Sequence, residues 1–139
     1  VAEEVGVRNA AALVEAIRAA LAARRFSYTS EAELQAAIGN ALNDELIANV
    51  PEHKLRAADR IDFFIPWSIA NPSESRGVGI EVKIAGSPSE LLRQLMRYAE
   101  CPQIEALIVF TDKLRLARAI PETLNAKRIT VICCAEAAL

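Results

Sequence analysis

The chain has 139 residues, of which 53% are hydrophobic and 24% charged, with a formal net charge of −2 and a sequence pI of about 5.5. That composition describes one domain spanning 1–139 with enough apolar residues for a packed core, and it excludes both a disordered chain and a surface coated with basic charge. No uninterrupted apolar run reaches the length of about 18 residues that a membrane span needs, the start carries Glu3 and Glu4 rather than the basic and apolar runs of a signal peptide, and Cys101, Cys133 and Cys134 form neither an even disulfide framework nor a C-x-x-C zinc spacing, so no membrane partner and a reducing, cytoplasmic setting are expected.

The first elements are helical. Asn9 is placed to cap a helix running to about Arg24, with Leu13, Ile17 and Leu21 on one face. Ser30 then caps a second helix with Leu34, Ile38, Leu42 and Leu46 in a stripe, and Gly39 inside it leaves room for another backbone to approach. After Pro51 the pattern changes. Lys54 to Ala58 is a weakly patterned strand, and Arg60 to Trp67 is a clear one, with Ile61, Phe63 and Ile65 assigned to one face. Pro66 to Gly77 is a loop. Val78 to Ile84 alternates strictly, putting Val78, Ile80, Val82 and Ile84 inward and Gly79, Glu81 and Lys83 on the other side. Ser87-Pro88-Ser89-Glu90 is a capping box opening a helix to about Ala99, with Leu91, Leu92, Leu95 and Met96 as its buried side. Ile104 to Thr111 is a fully apolar strand, Leu114 to Ala119 a short helix, Ile129 to Cys134 a last strand and Ala135 to Leu139 a tail. The order predicts an α/β fold, helices flanking one mixed sheet.

The chemistry concentrates on the second and third strands. The centre of their connecting loop lies between Asn71 and Pro72, and Asp62 and Glu81 are equidistant from it, so a symmetric antiparallel register sets them opposite each other. Opposed residues have Cβ atoms roughly 4.5–5.5 Å apart. Two carboxylates so placed repel, and a divalent cation with a taste for hard oxygen, Mg²⁺ or Mn²⁺, removes the conflict. Lys83 follows two residues later on the same face, where an ammonium can stabilise charge on a phosphorus centre; the alternative is a surface ion pair on an exposed strand. Gln94 and Tyr98 share one face of the next helix with Arg93 and Arg97 beside them, which suits phosphate contact or a plain solvated flank. Glu33 falls three residues after Ser30 and reads either as a capping glutamate or as a third carboxylate delivered from the helix, a place Glu31 could also fill. The single His53 supports neither a histidine metal site nor a catalytic triad, and no glycine loop precedes a helix as a phosphate cradle would.

Taken together, Glu33, Ile61-Asp62, Glu81-Val82-Lys83 and Gln94-x-x-x-Tyr98 resemble the PD-(D/E)XK nuclease superfamily, over roughly Ser30 to Cys134. The resemblance implies a restriction-endonuclease-like core, αβββαβ with an extra N-terminal helix and a final strand. It implies a metal-dependent nuclease that hydrolyses phosphodiester bonds of DNA and leaves a 5′-phosphate and a 3′-hydroxyl. Asp62, Glu81, Glu33 and the Val82 carbonyl would hold Mg²⁺ or Mn²⁺, Lys83 would be the catalytic lysine, and Gln94 and Tyr98 would match a motif of exonuclease-like and resolvase-like branches. Arg93, Arg97 and Arg60 are the cations to hold the nucleic acid. Ile61 stands where the family signature has proline. Two other readings stay open: a junction-resolvase-like nuclease, which would work as a homodimer with two sites, and a non-catalytic nucleic-acid-binding or assembly module that keeps the fold.

Overall fold

A computed structural model describes residues 9–56, 58–68 and 70–134; the expected tail lies outside them. The order is α1 (Ala10–Ala22), α2 (Glu31–Asp44), β1 (Val50–Arg56), β2 (Asp59–Pro66), a 3₁₀ turn (Pro72–Glu74), β3 (Gly77–Val82), α3 (Pro88–Glu100), β4 (Ile104–Thr111), α4 (Leu114–Ala119), β5 (Thr123–Leu124) and β6 (Lys127–Cys133). The strands form one six-stranded sheet in the order β1-β2-β3-β4-β6-β5. β1, β2 and β3 run antiparallel to their neighbours as a meander, while β3, β4 and β6 are parallel, as helical crossovers require. The fold is thus α/β with a mixed sheet covered on both faces. No described helix is long and apolar enough to cross a membrane.

The two faces carry separate cores. Ile17, Leu21, Leu34 and Ile38 of α1 and α2 bury against Phe63, Ile80, Val82, Ile108 and Phe110. On the other face Leu91 and Leu95 of α3 and Leu116 of α4 bury against Phe64, Leu107 and Val109. Burying a side chain of this size contributes about 1.5–3 kcal/mol each, before entropy is counted. Local signals set the helix starts: Asn9 Oδ1 accepts from Ala12 N–H and Ser30 Oγ from Glu33 N–H, and the Ser87/Glu90 capping box closes in both directions.

Several expectations are corrected. The first strand covers Val50–Arg56 rather than Lys54 to Ala58; it is an edge strand, bulged near Lys54, with exposed charges that hide its pattern. Leu46 does not extend the apolar stripe of α2. That helix stops at Asp44, and Leu46 follows with φ of 59° and 91% exposure. Gly39 gives room to the Phe63 ring rather than to a backbone. On α3, Met96 is 48% exposed and Leu92 is only partly covered, while Tyr98 and Ala99 take the buried places. Ile61 leaves the face of Phe63 and Ile65 and joins the α3 side. Its space there exists because Gly79 on β3 lacks a side chain: a Cβ at Gly79 would lie 2.3 Å from Ile61 Cδ1.

The candidate active site

The register between β2 and β3 is the symmetric one, pairing Phe63 with Ile80 and Ile65 with Val78. The ladder stops at Phe63–Ile80, one residue before Asp62 and Glu81 would pair. Beyond that point the main-chain hydrogen bonds are replaced by side chains: Val82 N–H donates to Asp62 Oδ2 at 2.8 Å, and Asp62 N–H to Glu81 Oε1 at 3.4 Å. The two carboxylates therefore lie in the gap where the strands separate. Glu81 is only 4% exposed.

Burial is the main force on both groups. It raises Asp62 to about 6 against the help of the Val82 N–H, with the charges of Glu52 and Glu31 adding to the rise and Lys83 opposing it. Glu81 is pushed well above the usual carboxylate range by burial and then by Asp62, again opposed by Lys83. The pair is thus two adjacent carboxyl groups whose charged forms the protein by itself disfavours.

Val82 N–H points toward β2, and a strand residue sends its N–H and C=O to the same edge, so the Val82 carbonyl also faces the gap, past the end of the ladder. Two carboxylates and one carbonyl form a hard oxygen set, and Mg²⁺ is commonly held by one or two carboxylates with water and substrate phosphate completing its shell. These residues fit such an ion. Among the described residues, no group of three or more His, Cys, Asp or Glu side chains is arranged to hold a metal by itself.

The expected third carboxylate is corrected. Glu33 turns back to Thr29, accepting from its N–H at 2.8 Å and its hydroxyl at 3.0 Å, and so serves the start of α2. Glu31 is the residue that reaches the sheet: its Oε1 accepts from Ile84 N–H at 2.9 Å, next to Lys83, and its charge acts on both Asp62 and Glu81. Glu52 has no counterpart among the expected residues. The pairs Pro51–Phe63 and His53–Ile61 bracket it opposite Asp62 on the other side of β2, and its φ is 53°. No sequence signal marked it, because β1 itself was weakly patterned.

Lys83 opens a cleft of about 330 Å³ on the α3 side of the sheet, shared with Gly86, Ser87, Arg93, Gln94 and Arg97. The structure therefore brings Gln94 and the two arginines to Lys83. Arg97 is also tied to Asp59 at 3.0 Å. Tyr98 does not join them: it is 1% exposed, and its hydroxyl donates to the Arg60 carbonyl at 2.9 Å. Its aromatic body belongs to the core and its polar tip fixes α3 to β2, which corrects its assignment to substrate contact. Arg60 is exposed on β2 and does not line the cleft. Comparison with profiles of known protein families, with curated proteins and with solved structures found no match to the chain.

Proposed function

We propose that the chain is a metal-dependent nuclease of the PD-(D/E)XK, restriction-endonuclease-like type, acting on DNA in the cytoplasm. The observation that carries this reading is the break in the β2–β3 ladder, where the half-buried Asp62 meets the buried Glu81, with Lys83 two residues on and a cleft bearing Lys83, Arg93 and Arg97 beside it. A stability role does not account for two carboxyl groups crowded together at this point.

Mg²⁺ or Mn²⁺ would be held by Asp62, Glu81 and the Val82 carbonyl, with Glu31 close by, and would supply Lewis-acid polarisation of the phosphate and a more acidic attacking water. The chain's own residues do the rest. Lys83 places an ammonium beside the carboxylates, where it can balance charge growing on the phosphate oxygens. Arg93 and Arg97 present guanidinium groups for the neighbouring phosphates, and Gln94 an amide. Asp59 holds Arg97 in place. Tyr98 sets the strand that carries Asp62 by holding the Arg60 carbonyl two residues earlier.

A second reading, a nucleic-acid-binding module without catalysis, draws on one observation: both carboxylates already accept hydrogen bonds from each other's strand. The two part on a simple assay. Plasmid, single-stranded, branched and RNA substrates are incubated with the protein in Mg²⁺ or in EDTA. The nuclease reading expects cleavage only with the cation, and a loss of at least about a hundredfold in Lys83→Ala. Cleavage that survives EDTA or Lys83→Ala would sink the site, and binding without cleavage would favour the module. Light scattering reports whether the active form is the dimer that a junction cutter needs.

A further inference from the structure

A second cleft, of about 530 Å³, opens on the α1 side at the carboxyl ends of the parallel strands β4 and β6. That is where open α/β sheets place their ligands. Its walls include Phe26 and Phe110, edge to face with ring centroids 5.5 Å apart. Tyr28 fixes its hydroxyl there by donating to Asp112 Oδ2 at 2.5 Å. Asp112 Oδ1 is buried without a hydrogen bond, and the Lys113 ammonium stands 3.4 Å from it as its ion-pair partner. Arg25 lies exposed at the rim with no ion pair or side-chain hydrogen bond among the described residues, whereas Arg24 is held by Asp44 and Glu45.

The cleft lies on the opposite face of the sheet from the Lys83 cleft and shares no lining residue with it, but two links join it to the candidate active site. Lys83 N–H donates to the carbonyl of Phe110, a wall residue, at 2.9 Å. Tyr28 of the cleft lies three residues before Glu31, which anchors Ile84 beside Lys83. A chain of phosphates crossing the carboxyl edge of β3 and β4 would meet both sites within adjoining strands, which are spaced about 4.8 Å apart.

We propose that this cleft receives one unstacked nucleotide of the substrate strand, its base against Phe26, which the buried Phe110 backs, an N–H of the base toward Asp112, and its phosphate on Arg25. The choice of a nucleotide rests on the nuclease reading; the cleft's shape and chemistry do not. Aromatic walls take the flat face or edge of any base, a carboxylate accepts from an amino group, and a free guanidinium takes a phosphate. A base stacked inside a duplex cannot reach such a cleft. The substrate class is therefore nucleic acid with at least one unpaired nucleotide near the scissile bond.

The test uses the full chain carrying Lys83→Ala, so that nothing is cut. Deoxyadenosine monophosphate should shift the amide NMR signals of Tyr28, Asp112 and Cys134. A single-stranded oligodeoxynucleotide should bind about tenfold more tightly than a base-free deoxyribose-phosphate chain of equal length. Adding Ala22→Trp, at an exposed position on the cleft wall, should remove that difference. Arg25→Glu, also exposed, should weaken both ligands and guards against a folding defect in the first variant. Shifts confined to other surfaces, or a preference for bases that survives Ala22→Trp, would overturn the proposal. Failure of the nuclease reading would appear elsewhere, as wild-type protein that cuts nothing while the nucleotide still shifts the cleft signals.

Discussion

Asp62 and Glu81 are set in a place that costs the fold, and that cost is measurable. With the Asp62 pKa raised to about 6, the folded state holds this proton more tightly than the unfolded chain, whose carboxyl titrates near 3.9. The folded state is therefore favoured while both are protonated, and the advantage is lost as pH rises from about 4 through about 6. In EDTA at neutral pH, Asp62→Asn should stabilise the protein by on the order of 2 kcal/mol. Its thermal midpoint should fall less across that pH window than the parent's, the remaining fall coming from Glu81, and should not rise on addition of Mn²⁺. A variant less stable than the parent at neutral pH would mean that the carboxylate is well compensated by the protein alone. Leu46 offers an independent check on backbone strain. It holds φ of 59° just past the end of α2, where glycine is the usual residue, and its side chain is 91% exposed and so has little packing to lose. Leu46→Gly should raise stability by up to about 1 kcal/mol in urea unfolding, and an unchanged or lower midpoint would count against this account.

At the scale of elements, α3 divides its polar residues between structure and cleft, and substitutions should separate the two. Tyr98→Phe removes a hydroxyl from the partly buried Arg60 carbonyl and should cost about 1 kcal/mol of stability, with kcat changed less than by Lys83→Ala. Gln94→Ala should raise KM and leave stability alone, because its amide makes no side-chain hydrogen bond among the described residues. A Tyr98→Phe protein that is fully stable but inactive would return Tyr98 to the chemistry. This division explains what could be read from the chain. The alternation of β3 and the capping box of α3 are local patterns, so Glu81, Lys83 and the helix start were legible without coordinates. The β2–β3 register was legible too, because the loop between them is symmetric about Asp62 and Glu81. The turn of Ile61 to the opposite face was not, since it depends on an absent side chain at Gly79, eighteen positions away. Nor was the choice between Glu31 and Glu33: both lie in the first turn of α2, and which of them meets β3 depends on how that helix sits on the sheet. Tyr98 misled for a related reason, as a hydroxyl on an otherwise apolar ring can cap a buried carbonyl as well as meet a substrate.

For the molecule as a whole, the net charge of −2 constrains how nucleic acid can be held. An acidic protein gains no general attraction from a phosphate chain, and long-range repulsion must be overcome by a local field. The cleft beside Asp62 and Glu81 supplies that field through Lys83, Arg93 and Arg97, reduced by Glu90 in its lining and by Asp59, which already takes part of the charge of Arg97. Few counterions are then released on binding. With Mg²⁺ absent, a plot of log K against log salt for duplex DNA should have a slope of about −2 to −3, far shallower than that of a broadly basic binder. Arg93→Ala should reduce the slope by about 1, whereas Arg60→Ala, outside the cleft, should leave it unchanged. A steep slope, or one that responds equally to both substitutions, would show that phosphate is held over a wider surface than this cleft and would move the binding path away from Lys83.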